Sequence, residues 1–525
     1  MVKIFLKLFP LLVLAIFFRF WLISNNQIYF WYDQARDAQV SQEIIINKDL
    51  KIQGPSASGT NDTIYHGVLY YYLIAPLYVL FDGNPFLVTL VFSAINSLSV
   101  VLIYFLTKEV FKNERLALIA AALLAINFEH AQYSTWLSNP MIALLPVLTF
   151  FYSLWRLFYQ ENKKGNLIWP LLMGVSLGII EQSAFYSVYF FGAILVGVIF
   201  SSKQNKQSVR RLFSLKQVLV FLVSYGLLIS TMLFNQFKLF RAGIFTLNGL
   251  KEAFGSSKLL VEPQLIGQFF VTYFTKIIES LTPTMTIFGT ILLFVLAWSF
   301  FNKTSKAIRY FLLSWLLAPL WLFVIHFRNS PHMLFGIEYV LLIILAFFLE
   351  SVFKQKSYLS KIIGLLITSV YIICQFGALQ LVRNQSTSIF TFQKGVMLKN
   401  ELNLIDRTYQ LANGQPFSIS IWGSPYEYYV TWAYLYDWYG RTKYGYLPSY
   451  FGTSQIGKFG SDLLEQKDST AAIHFLIEEP QINLVGNIYQ QFIAKQDSLT
   501  LPQITTQTQK NGFELFGEYR LQLRK

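Results

Sequence analysis

Apolar runs, most of about 17–23 residues, recur through the first 381 residues, and a run of that length crosses a hydrocarbon layer as a helix. They fall near 4–24, 85–107, 116–128, 141–157, 167–180, 184–200, 215–234, 285–301, 307–325, 333–349 and 362–381. Those at 116 and 167 reach span length only when polar flanks are counted. With 54% hydrophobic and only 13% charged residues, the chain cannot clothe a soluble domain of 525 residues in polar surface. The reading is an α-helical polytopic membrane protein. The one cysteine, Cys374, lies inside an apolar run, which excludes a disulfide framework and points to packing.

The net charge of +14 raises nucleic acid as a partner, but the basic residues sit in short loops between apolar runs. Five connections carry seventeen Lys/Arg, for example Lys203, Lys206, Arg210, Arg211 and Lys216 in one of them. The short connections that alternate with these (129–140, 181–183 and 326–332) carry one, Arg328. That asymmetry makes the basic set cytoplasmic and accounts for the charge without nucleic acid. Lys3 and Lys7 put the N-terminus on the same side. The first run resembles a signal peptide, but it is long enough to span and lacks a small-residue cleavage site, so it reads as a retained helix.

A twelfth segment, 67–81, decides the parity. It has about 15 residues, contains Pro76, and carries Tyr70, Tyr71, Tyr72 and Tyr78, which suits a helix lying in the interface. The expectation is about eleven crossings, outer loops at 25–84 and 236–283, the second with short interfacial helices, and an outside C-terminus. After 384 no span follows, so the chain divides into a membrane part, 1–384, and a small extracytoplasmic α/β domain, 385–525. In the latter, Phe417–Trp422 and 472–477 read as strands and 427–439 as an aromatic-faced helix. Asn511-Gly512, between 506–510 and 513–523, is a hairpin signal.

The chemistry concentrates on the outer side. Just past the first run, Asp33, Arg36 and Asp37 are three and four residues apart, which puts them on one face of a helix. Four of the five histidines (His66, His130, His326, His332) fall on that side, with Glu129, Asn139 and Glu181. Carboxylates that take a proton and cations that hold an anion are the ingredients of a site at the outer leaflet. Each has a plainer reading. Asp33 and Asp37 can be solvated charges paired with Arg36 and Lys48. His66 can bond a loop carbonyl, Glu181 can be hydrated, and Arg328 and His332 can anchor headgroups. The Gly54–Thr60 stretch lacks the lysine and following helix of a phosphate-binding loop.

The ordered set Tyr32-Asp33-Gln34-Ala35-Arg36-Asp37, then Gly54 to Thr60, then Ile64-Tyr65-His66-Gly67 running into the tyrosines, resembles the GT-C glycosyltransferases. The branch it is most similar to holds the protein O-mannosyltransferases and the lipid A aminoarabinose transferase. Tyr133-Ser134…Trp136…Asn139-Pro140, the stretch Phe234 to Phe240, and Arg328…His332 are further echoes. The resemblance covers roughly the first 350 residues. It implies a GT-C fold and sugar transfer from a polyprenyl-phosphate donor to an acceptor hydroxyl on a lipid, protein or polysaccharide, with inversion, at the outer face of the plasma membrane. Asp33 matches the family's base, with Asp37 assisting. Arg36, Tyr65, His66, Tyr70, Glu181, Arg328 and His332 are the implied substrate-binding set. The family's acidic pair is often Asp-Glu; here Gln34 follows Asp33. No metal set is visible, and neither a metal nor another cofactor is expected. The rivals are a lipid or sugar transporter, which calls for charges at the membrane midplane, and a non-catalytic sensor with the tail as ligand module.

Overall fold

The computed structural model describes residues 2–57, 63–159, 166–204, 214–244, 263–324, 333–390, 394–426, 428–480, 486–503 and 512–525. Among the described residues the membrane part is mostly helical. Its helices are α1 (Val2–Ile23), α2 (Tyr32–Ile46), α3 (Leu69–Leu80), α4 (Pro85–Ser97), α5 (Ser99–Phe111), α6 (Glu114–Ala125), α7 (Phe128–Thr135), α8 (Leu144–Leu154), α9 (Ile168–Ser183), α10 (Phe190–Gln204), α11 (Leu215–Arg241), α12 (Pro263–Leu281), α13 (Thr286–Lys303), α14 (Lys306–Leu316), α15 (Ile337–Phe353) and α16 (Tyr358–Gln385). Every apolar run read from the sequence is helical. Among the described residues, six helices are long and apolar enough to cross a membrane: Lys3–Ile23, Pro85–Phe111, Asn139–Tyr159, Leu215–Arg241, Thr286–Lys303 and Tyr358–Gln385. The bent pair α6–α7 makes a seventh if taken as one span. The segment at 67–81 forms the 12-residue α3.

The described part of the second long loop holds the 19-residue helix α12, and 245–262, where short helices are expected, lie outside the described residues. One element differs from the expectation. The run at 116–128 does not continue as one rod: α6 and α7 meet at 57°. Asn127 makes the break. Its side chain caps α7 by accepting from His130 N (2.9 Å) and donates to the Ser280 carbonyl (3.1 Å). Gln375 of α16 accepts from Phe128 N (2.9 Å) and donates to the Leu281 carbonyl (2.9 Å), while Tyr371 bonds the Leu123 carbonyl (2.9 Å). Helix ends buried in apolar surroundings need such partners, because water is not there to satisfy them. The bend carries the chain into the 136–140 segment.

The tail contributes α17 (Leu398–Ala412), β1 (Phe417–Trp422), α18 (Val430–Leu435), β2 (Ser449–Tyr450), β3 (Ile473–Glu478), α19 (Gly486–Asp497), β4 (Glu514–Phe516) and β5 (Tyr519–Arg524). The sheet order is β2-β1-β3-β5-β4. β1 runs parallel to β2 and β3, and β5 is antiparallel to β3 and β4. All six residues of β1 and of β3 are buried, as expected for parallel strands covered on both faces. The stretch 513–523 is not one strand. It folds back at Gly517-Glu518, with Phe516 opposite Tyr519 and Gly517 at φ +63°, the left-handed conformation a tight two-residue turn needs. Asn511 lies outside the described residues.

Candidate active site

The helix α2 is set by its own first turn. Gln34 Oε1 accepts from Trp31 N (3.2 Å) and its Nε2 donates to the Leu137 carbonyl (3.0 Å), so one amide both caps the helix and ties it to the 136–140 segment. Small residues Ala35 and Ala38 are wholly buried, and α2 packs between α3 and the tail helix α18. On this frame Arg36 stands between two carboxylates. Its NH1 meets Asp33 Oδ1 at 2.7 Å; its Nε and NH2 reach Asp37 Oδ1 at 2.9 and 2.7 Å. The Asp33 side chain is 57% exposed, that of Asp37 only 3%. Tyr71 of α3 also bonds Asp37.

Burial pushes the Asp37 carboxyl up to about 6, against the pull of Arg36. Burial also opposes the Arg36 charge, but Asp37 and Asp33 together hold the guanidinium well above its ordinary value. The two aspartates therefore differ in kind: Asp33 is an accessible carboxylate, while Asp37 is a buried anchor for the guanidinium.

A cavity of ≈ 280 Å³ opens in front of Asp33, Arg36 and Asp37. Its other walls are Tyr29, Trp31, Gln34, the loop residues Pro55, Ser56 and His66, the 136–140 segment, Ser183, Phe185, Met333 and Phe390. His66 is placed by a short antiparallel pairing: Ala57 N donates to the Ile64 carbonyl and His66 N to the Pro55 carbonyl, both at 2.9 Å. A Cβ at Gly54 would collide with the carbonyls of His66 and Gly67, so this approach requires glycine. Phe185 N donates to His66 Nδ1 (3.3 Å), which leaves the proton of the neutral ring on Nε2. On the far wall Trp136 stacks on Phe390 at 4.0 Å.

Asp33, Arg36, Asp37 and His66 thus meet in one cavity. Tyr65 sits in the bridge with Ser56 but is not part of the cavity wall. Tyr70 is fully buried on α3, also away from the wall. Glu181 is 4% exposed near the end of α9, so it is not a hydrated loop carboxylate, and it does not line the cavity either. Arg328 and His332 lie outside the described residues. Among the described residues no group of three or more His, Cys, Asp or Glu is arranged to hold a metal ion. Sequence reading missed Trp31, Phe185 and Phe390, whose contribution depends on contacts across the chain.

Residues 65–229 match the family model described as dolichyl-phosphate-mannose-protein mannosyltransferase. The solved structure of ArnT from Cupriavidus metallidurans in the apo state superposes with a TM-score of 0.54 over 99% of this chain and 97% of that one, at 10% identity. The chain has the GT-C fold. The same ArnT bound to undecaprenyl phosphate gives a TM-score of 0.51 at 9% identity, over 99% of this chain and 98% of that one. At such identity the likeness is one of fold, and it spans both the family-model segment and the tail. No curated protein sequence matches the chain.

Proposed function

We propose that this GT-C protein transfers a sugar from a polyprenyl-phosphate donor to an acceptor hydroxyl at the outer leaflet of the plasma membrane, with inversion at the anomeric carbon. The observation that carries this is the Asp33–Arg36–Asp37 arrangement at the wall of a cavity shared with His66. A hydroxyl is a weak nucleophile, so an accessible carboxylate beside it accelerates attack by taking its proton. Asp33 fills that role. As the acceptor oxygen bonds to the anomeric carbon, the bond from that carbon to the phosphate oxygen breaks. The lipid phosphate leaves with the electron pair and gains negative charge, which Arg36 and the Nε2–H of His66 stabilise. Arg328 and His332 join this set.

The Arg36–Asp33 bond supports one order of events. An incoming phosphate competes for NH1, and Asp33, released from its ion pair, becomes a better base. Asp37 keeps Nε and NH2 throughout, so Arg36 stays aimed. That a GT-C protein of this fold, ArnT, has been solved with undecaprenyl phosphate supports a lipid phosphate as donor or product. Eleven crossings, a cytoplasmic N-terminus and an outer tail complete the proposed topology. A transporter would hold its charges at the midplane. In the proposed topology the buried Arg19, Lys276 and Glu338 lie instead toward the outer ends of α1, α12 and α15.

The test is lipid-phosphate release by reconstituted protein given a panel of polyprenyl-phosphate sugars and acceptors. Asp33→Asn is expected to slow release by roughly 10²–10⁴-fold with donor binding retained. Release at the wild-type rate would move the base elsewhere.

A further inference from the structure

The parallel strands β1 and β3 end side by side, with Trp422 opposite Glu478, so Gly423 and Glu479 emerge together at their carboxyl ends. That edge is where open α/β sheets present groups to what they bind. Here it faces α2. Glu479 Oε2 accepts from Trp31 Nε1 (3.3 Å) and from Ser424 N (3.0 Å), and Oε1 accepts from Trp432 Nε1 (2.8 Å). The residue is 6% exposed. A Cβ at Gly423 would come within 2.7 Å of its carboxylate, so that glycine leaves the room in which the carboxylate stands.

Trp31 is a wall of the cavity and the residue that begins α2. Its main-chain N–H is held by Gln34 and its indole N–H by Glu479. Tyr32, next in the chain, meets Tyr428 of the tail edge to face at 5.7 Å. An anion bonded by three N–H groups makes stronger, more directional bonds than a neutral acceptor. It is costly to bury, so its effect is orientation rather than stability.

We propose that Glu479 is a positioning residue: through Trp31 it fixes the first turn of α2, so that the tail domain sets the geometry of Asp33 and Arg36 in the cavity. This rests on the transferase reading above. The test uses the full chain in micelles and in reconstituted form. Glu479→Gln keeps the size but offers one acceptor oxygen to three donors. In ¹⁵N-indole spectra the Trp31 resonance, assigned by its loss in Trp31→Phe, is expected to shift in Glu479→Gln. In the transfer assay both single variants are expected to lose roughly 10–100-fold in kcat, since small misplacements are costly, with donor KM near wild type. The double variant is expected to be no slower than the slower single. Trp432→Phe, which removes one donor to Glu479 and leaves the Trp31–Glu479 bond in place, is expected to keep most of its turnover. An unmoved Trp31 resonance in Glu479→Gln, or losses that multiply in the double variant, would overturn the proposal. If the wild type releases lipid phosphate from no donor, the transferase reading falls, and the Trp31 resonance alone decides the positioning role.

Discussion

Arg36 places two of its nitrogens, Nε and NH2, within 2.9 Å of a single carboxylate oxygen of Asp37, and that carboxylate is almost wholly buried. Burial outweighs the pairing, so the Asp37 carboxyl stays up at about 6 rather than falling below its ordinary 3.8. A folded-state value above the unfolded one means that the folded protein binds more protons in between. The contribution of Asp37 to stability therefore falls as pH rises from about 4 through 6 and levels off above. Asp37→Asn removes this slope and is expected to be at least as stable as wild type above pH 6. It is nonetheless expected to transfer sugar more slowly, because Arg36 loses its fixed anchor. Thermal unfolding in detergent across pH, together with turnover, checks both.

Gln34 makes a second prediction. It stands where the GT-C resemblance implies a glutamate, and it uses the two unlike ends of its amide: oxygen toward Trp31 N, nitrogen toward the Leu137 carbonyl. A glutamate has no donor for that carbonyl and sets an anion against it. Gln34→Glu, although it restores an acidic pair, is expected to cost roughly 1–3 kcal/mol of stability and to lower turnover. Comparing its unfolding midpoint with that of Gln34→Ala, which leaves the carbonyl bare but adds no charge, separates the two effects.

The grouping of Asp33, Arg36 and Asp37 was legible because three residues at i, i+3 and i+4 share a helix face whatever the helix packs against. The membrane class followed from run length, and β1 and β3 from their apolar stretches. Other features needed distance in sequence to close. Phe390 reaches the cavity because its neighbour Ile389 bonds Gln132 of α7. Glu479 arrives from the other end of the chain. The break at Asn127 had a local signal, an asparagine directly before a helical turn carrying Glu129, which is the pattern of a helix start. It was hidden because the apolar run continues to Phe128, and hydropathy does not register direction. The turn at Gly517-Glu518 was hidden inside the stretch 513–523, because pairing partners and not a local dipeptide set its register.

Gly54 is expected to be intolerant. With a Cβ it cannot approach His66 and Gly67, so the 55–57 and 64–66 pairing must open and His66 must leave the cavity wall. Gly54→Ala is expected to lose transfer activity while unfolding near the wild-type temperature, because the loop adds little to the helical core. The opposite pattern, activity kept with stability lost, would show that His66 is not needed where it stands. His66→Gln, which retains a donor, is expected to be faster than His66→Ala in the same assay.

The last prediction concerns α12, which docks through a buried pair. Lys276 bonds Glu129 of α7, both nearly inaccessible, and its ammonium also reaches the Tyr133 hydroxyl at 3.2 Å while lying over that ring at 4.7 Å. Ser280 bonds the same carboxylate. With the low dielectric around it, either charge alone is costly, whereas the pair roughly offsets its own desolvation. Lys276→Met and Glu129→Leu, each leaving one buried charge unmatched, are expected to destabilise by roughly 3–5 kcal/mol. The double variant is expected to recover most of that loss, and this non-additivity distinguishes a pair from two independent packing residues. Turnover adds a second readout. Trp136 lies beyond the end of α7, the helix that carries Glu129 and Tyr133, and it lines the cavity. If the pair serves only to dock α12, the double variant transfers sugar at the wild-type rate; if it also sets the direction of α7, kcat stays low although stability returns.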